Sequence, residues 1–225
     1  MSSKSRKIIL FANGELVNPQ RILALINDGD YLVGVDGGLN HMINLGLSPN
    51  LIIGDLDSAD PGTVKNLAAQ GVEVREFPAD KDETDLELAI SAVLDQNPQA
   101  ILIVAALGNR LDQTLANLFL LTRSDLSGLD IRLVDGMREV FLIQEEATIS
   151  GEIGQRVSLI PLCRLAKGIQ TEGLKFSLKN ETLFPEQTRG ISNVMSEQYA
   201  RITLQEGQLL CIHETTEPAH NVEGV

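Results

Sequence analysis

The chain is poor in cysteine and in positive charge, and it has no long apolar run. Its two cysteines, Cys163 and Cys211, lie far apart without CxxC or His-ligand spacing. That speaks against a zinc site or a disulfide framework and fits a reducing cytoplasm. Lys and Arg number 18 against 31 Asp and Glu, a formal charge of −13. So acidic a chain is poorly suited to gripping nucleic acid or an anionic membrane, and any nucleotide would have to be held through a metal. The basic start, residues 1–7, precedes an apolar stretch at 8–12 that is far too short for a signal sequence or a membrane span. No later segment reaches spanning length, and the polar tail 214–225 is expected to fray. Neither G-x-x-x-x-G-K-[ST] nor G-x-G-x-x-G occurs, which removes the P-loop and the dinucleotide fingerprint. The histidines, His41, His213 and His220, are scattered and near no Ser or Cys motif, so a nucleophilic triad has no support.

What is present is a regular rhythm. At 225 residues and 43% hydrophobic, the chain suits one full domain plus a smaller one with a packed core. Periodicity gives strands at 7–12, 31–35, 51–53, 72–77, 100–106 and 131–134. Helices fall between them at 19–27, 40–45, 63–70, 84–94 and 112–123. Strands alternating with helices mean βα units and a parallel sheet. The pattern changes near residue 138. Short runs at 140–143, 147–150, 156–161, 168–172, 174–178, 199–204 and 209–213 then follow one another between turn signals, as in an antiparallel sandwich or barrel. The boundary is expected between 138 and 146, dividing the chain into 1–140 and 141–225.

Short polar words follow the apolar runs of the first half: Ala12-Asn13-Gly14, Asp36-Gly37-Gly38, Gly54-Asp55-Leu56-Asp57-Ser58, Asp80-Lys81-Asp82-Glu83-Thr84-Asp85 and Gly108-Asn109-Arg110-Leu111-Asp112-Gln113. In an open parallel sheet, residues just after the strands gather along one edge, so these words converge on one crevice. Clustered carboxylates repel unless a cation sits among them, which points to a divalent ion such as Mg²⁺ and to phosphate chemistry. Asp55 and Asp57, two residues apart, would point to one side of an extended segment. Thr84-Asp85-Leu86-Glu87 reads as a capping box, yet four acids among positions 80–85 exceed what capping needs. Arg110 offers a planar fork for phosphate oxygens, and Asp112 suits either a metal or the cap of the next helix. Two other readings stand beside phosphoryl transfer. Asp55-Leu56-Asp57-Ser58 also fits an aspartyl-nucleophile phosphatase, and the same scaffold suits a non-catalytic nucleotide or vitamin sensor.

Taken in order, these words resemble the thiamine pyrophosphokinase (thiamine diphosphokinase) family. Leu115-Ala116-Asn117 extends the fourth word. In the second half, Gly173-Leu174-Lys175-Phe176-Ser177-Leu178 and Arg189-Gly190-Ile191-Ser192-Asn193 look like the family's acceptor-side signature. The resemblance implies an α/β N-terminal domain with a parallel sheet that binds ATP and Mg²⁺, then an all-β C-terminal sandwich for thiamine binding and dimerisation. It implies a cytoplasmic homodimer with thiamine bound between subunits, and transfer of the β,γ-diphosphoryl group of ATP to thiamine with release of AMP. Asp55, Asp57, Asp85 and Asp112 would hold the metal and triphosphate, with Asp55, Asp57 and Asp85 as the metal ligands. Asn13, Asp36, Gly37, Lys81, Asp82, Thr84, Arg110 and Asn117 would line the nucleotide site. Ser192 and Asn193 would meet the thiamine pyrimidine. The chain departs from many members by having Asn109 where they carry Gly, and Gln113 where bacterial members often carry His.

Overall fold

Short runs, most of them apolar, alternate with helices through the first 136 residues, and each forms a strand of one sheet. The computed structural model describes residues 6–108 and 110–215. The expectations for residues 1–5, Asn109, His220 and the tail beyond 215 lie outside the described residues. The chain divides into two compact units, 1–136 and 137–225.

In the first unit, β1 (Lys7–Phe11), β2 (Tyr31–Val35), β3 (Leu51–Gly54), β4 (Glu73–Glu76), β5 (Ala100–Val104) and β6 (Asp130–Val134) alternate with α1 (Pro19–Leu25), α2 (Gly38–Asn44), α3 (Pro61–Ala69), α4 (Asp85–Leu94) and α5 (Leu111–Leu120). Their order in the sheet is β6-β5-β1-β2-β3-β4, with every neighbouring pair parallel. From β1 the chain steps outward through β2, β3 and β4, then returns to the other side of β1 for β5 and β6. The direction of winding therefore reverses at β1, the place where open α/β sheets bind ligands. Because β1 is central, it is apolar from Ile8 to Phe11. Ile8, Ile9, Leu10 and Phe11 are each at most 1% exposed, and each such burial stabilises the fold by about 1.5–3 kcal/mol.

Local chemistry sets the helix starts. Asn18, Asp60 and Thr84 cap α1, α3 and α4 by accepting from the backbone N–H three residues on. Pro61 at the first position of α3 adds a preset φ. At α2 the reason for glycine is steric: a Cβ on Gly38 would run into the Phe11 carbonyl, and one on Gly37 into the Asn13 side chain. The pair Gly37-Gly38 thus lets the helix start sit directly against the end of β1.

The second unit is antiparallel. One sheet has the order β12-β9-β14-β7, from β12 (Asn193–Val194), β9 (Arg156–Pro161), β14 (Leu209–Glu214) and β7 (Arg138–Ile143). The other has the order β11-β10-β13-β8, from β11 (Lys179–Leu183), β10 (Ala166–Glu172), β13 (Tyr199–Thr203) and β8 (Glu146–Ser150). Side chains of both sheets, including Phe141, Val157 and Cys211 from the first and Ile149, Ile169 and Ile202 from the second, share one core. This is a β-sandwich. Residues 174–178, expected as a strand, instead form a bend with a single bridge at Leu174, and the strand lies at Lys179–Leu183. The sequence Lys179-Asn-Glu-Thr-Leu183 hides it, because its polarity matches an edge strand with only Leu183 turned inward.

Candidate active site

Segments that follow β1 to β5 line one cleft of about 680 Å³ in the first unit, a size typical of small-molecule sites. Asn13, Asp36, Asp55, Asp57, Thr84, Asp85, Arg110 and Asn117 all line it. Backbone hydrogen bonds tie these loops to one another. The Gly14 N–H donates to Ala105 O at 2.7 Å, and the Asp36 N–H donates to Ile53 O at 2.8 Å. His41 Nε2 donates to Gly14 O at 2.9 Å, fixing the turn after β1.

Three non-glycine residues at these strand ends have left-handed backbone: Asp36 (φ 47°), Leu56 (φ 59°) and Ala105 (φ 55°). Such conformations are costly and persist where the surroundings over-determine them, commonly at functional sites. The kink at Leu56 also changes how the acidic pair works. The segment is a turn and not extended: the Asp57 N–H donates to Asp55 Oδ1 at 3.3 Å, and Ser58 Oγ donates to Asp57 Oδ1 at 2.9 Å.

Asp36, Asp55 and Asp57 each offer a carboxylate oxygen within 4.8 Å of the others. Asp36 Oδ2 accepts from Asn13 Nδ2 at 3.3 Å, whereas Oδ1 is buried with no hydrogen-bond partner among the described residues. An orphaned carboxylate oxygen beside two further carboxylates is a donor set suited to a hard cation. The structure thus groups Asp36 with Asp55 and Asp57, while Asp85, expected as the third ligand, stands apart from that trio in the same cleft. Asp85 Oδ1 lies 2.9 Å from Lys81 Nζ, an ion pair without hydrogen-bond alignment. Thr84 and Asp85 at the start of α4 also bring the positive end of a helix to the cleft.

Other expected positions fall differently. Asp112 neither lines the cleft nor caps α5; Arg110 occupies the cap position without a side-chain cap bond. Asp112 instead pairs with Arg110, Nη2 to Oδ2 at 2.6 Å. Their hydrogen bond holds the Asp112 carboxyl below the usual range and raises Arg110 further. Asp82 is exposed and outside the cleft lining, and Lys81 reaches it only through Asp85. Gly37 packs under Asn13. Asn117 Nδ2 donates to Ala106 O at 2.8 Å and so braces the loop after β5. Glu15, Gln113, Thr114 and residues 105–108 also line the cleft. Thr114 left no signal, since its hydroxyl works locally, accepting from the Gly108 N–H at 3.2 Å. In the second unit, Ser192 is exposed with φ 57°, whereas the Asn193 side chain is buried and turned onto the backbone of Phe176.

Fold and site together define a class: a parallel α/β unit with a carboxylate-lined cleft at its topological switch point, followed by an antiparallel β-sandwich. Residues 22–133 match the family model described as thiamin pyrophosphokinase, catalytic domain, and residues 143–209 match that described as thiamin pyrophosphokinase, vitamin B1 binding domain. The chain belongs to the thiamine pyrophosphokinase family. It is 28% identical over 185 residues to thiamine pyrophosphokinase of Bacillus subtilis, an alignment covering 81% of this chain and 86% of the relative. It is 29% identical over 174 residues to thiamine pyrophosphokinase 1 of Oryza sativa subsp. japonica, covering 72% of this chain and 64% of that protein. The crystal structure of the Bacillus subtilis thiamine pyrophosphokinase superposes with a TM-score of 0.84 at 26% identity, covering 94% of this chain and all of that one.

Proposed function

We propose that the protein is an ATP:thiamine diphosphotransferase, forming thiamine diphosphate and AMP. The observation that carries this reading is the grouping of Asp36, Asp55 and Asp57 within 4.8 Å at the strand ends, in the cleft that also holds the start of α4 and Arg110. Asp36, Asp55 and Asp57 would hold Mg²⁺, which when bound offsets the charge of the phosphates being transferred. Arg110 and the α4 N-terminus supply fixed positive charge for the remaining phosphate oxygens. Asp85 lines the same cleft, and its carboxylate would accept the proton of the attacking hydroxyl. The thiamine hydroxyl oxygen forms a bond to the β-phosphorus of ATP, the bond from that phosphorus to the α,β-bridging oxygen breaks, and AMP leaves with the bridging oxygen. Ser192 and Phe176, both exposed in the second unit, support recognition of thiamine there. The aspartyl-phosphatase and sensor readings lose to the family match, which spans the acidic segments and the sandwich alike.

We further propose a homodimer. Helix α5 buries no residue fully, and Leu111, Leu115 and Phe119, spaced by four, are 69%, 47% and 55% exposed. An apolar stripe of this kind suits a second copy of the chain, and two-fold pairing is the commonest assembly. A cytoplasmic location is supported by Cys163 and Cys211, which form no disulfide. Among the described residues no helix is long and apolar enough to cross a membrane. Phosphorus NMR of the protein with ATP, Mg²⁺ and thiamine tests the reaction. Paired appearance of AMP and thiamine diphosphate is the expected result; inorganic phosphate alone would instead mean hydrolysis.

A further inference from the structure

Asn193 stands beside Ser192 in the segment associated with acceptor binding, yet its carboxamide is already fully engaged. The residue is 7% exposed. Its Oδ1 accepts from the Phe176 N–H at 3.0 Å and from the Val194 N–H at 2.9 Å, and its Nδ2 donates to Phe176 O at 2.8 Å. The amide therefore grips both backbone groups of Phe176, as a paired strand residue would. Neighbouring contacts continue that pairing: Lys175 N–H donates to Val194 O at 2.8 Å, Leu174 bridges Met195 antiparallel, and Ser196 N–H donates to Gly173 O at 2.9 Å. Residues 173–175 are thus held by backbone and Phe176 by the Asn193 side chain.

That last link is made by a side chain and not by backbone. Asn193 and Val194 already pair with Val157 and Arg156 of β9, and Ser192, in left-handed conformation, donates its N–H to Ser158 Oγ at 3.0 Å. What the clamp holds is an aromatic ring left 53% exposed, with Lys175 Nζ 5.6 Å from its centroid. Pinning both backbone groups fixes the position from which the exposed ring projects and so lowers the entropic cost of placing it on binding.

We propose that Asn193 is a positioning residue that acts through Phe176: it does not touch the acceptor, but sets the Phe176 ring as a flat face for stacking a planar nitrogen heterocycle. This inference rests on thiamine being the acceptor. An offset stack on such a face supplies the attraction, while the neighbouring exposed Ser192 remains available for hydrogen bonding.

A double-mutant cycle with the full-length enzyme tests the proposal. Asn193→Ala and Phe176→Ala are each expected to raise the KM for thiamine about tenfold, with the KM for ATP within about twofold of wild type. In the double variant the Asn193 change should add less than about twofold to the loss from Phe176→Ala. Multiplicative losses would overturn the proposal, because Asn193 would then contact the acceptor itself. Amide hydrogen exchange gives a readout independent of turnover. In Asn193→Ala, which removes both the acceptor of the Phe176 N–H and the donor to Phe176 O, the Phe176 amide should exchange at least about tenfold faster while Leu210, in β14, keeps its protection. Unchanged exchange at Phe176, or equal acceleration at Leu210, would overturn the clamp. A wild-type protein that fails to convert thiamine would defeat the functional reading instead, and the exchange measurement would still decide whether Asn193 holds Phe176.

Discussion

Lys81 Nζ and Asp85 Oδ1 lie 2.9 Å apart, four residues from one another, at the entrance to α4. Lys81 also donates to Pro78 O at 3.1 Å, so the ammonium is anchored on its own loop and Asp85 is drawn to it. The pair is largely buried, with side chains 12% and 24% exposed, and removing one partner leaves the other charge poorly compensated. Lys81→Met is therefore expected to raise the KM for ATP by about tenfold or more, by returning an unpaired negative charge to the cleft proposed for the phosphates. Steady-state kinetics with ATP and thiamine varied separately will check this, and an unchanged ATP dependence would remove Lys81 from the nucleotide site.

The acidic trio predicts a different pattern. Asp36→Asn, Asp55→Asn and Asp57→Asn should each reduce kcat on the order of 10²-fold, since each removes one preorganised charge. In the wild type, Mg²⁺ added without nucleotide should raise the thermal midpoint, and each variant should blunt that rise. If Asp36→Asn retains both activity and the Mg²⁺ response, its grouping with Asp55 and Asp57 has no functional meaning.

Helix α5 offers a test of assembly. Leu115→Asp combined with Phe119→Asp places two charges in the exposed apolar stripe, and sedimentation should show conversion of a dimer to a monomer. A dimer that survives both changes would place the interface elsewhere.

Acid sensitivity is expected at the start of α3. Asp60 accepts from the Thr63 hydroxyl at 2.8 Å and the Thr63 N–H at 2.7 Å, and these bonds hold its carboxyl below the usual range. A lowered folded-state pKa contributes stability that is present above the unfolded value, about 3.9, and is lost as pH falls through the folded value. Asp60→Ala should therefore lower the urea midpoint at pH 7, with the difference from wild type shrinking at about pH 3. A difference independent of pH would mean that the charge of Asp60 contributes nothing.

The sequence by itself determined the strand and helix alternation of the first unit, because apolar runs such as 100–104 and periodic segments such as 85–94 are recorded in local composition. It also determined which loops line the cleft, since residues following parallel strands must share one edge. Lys179–Leu183 was not legible, because an edge strand buries too little to mark itself with alternating apolar residues. Only the tertiary structure decided which acids meet. Asp36 joins Asp55 and Asp57 through left-handed turns at Asp36 and Leu56, and local propensity does not assign that conformation to a leucine. It likewise decided that Asp85 is tied to Lys81, Asp112 to Arg110 and Asn193 to Phe176. The reason is physical: the type of a polar residue fixes what it can bond, but its partner is set by distances across loops that local sequence does not encode.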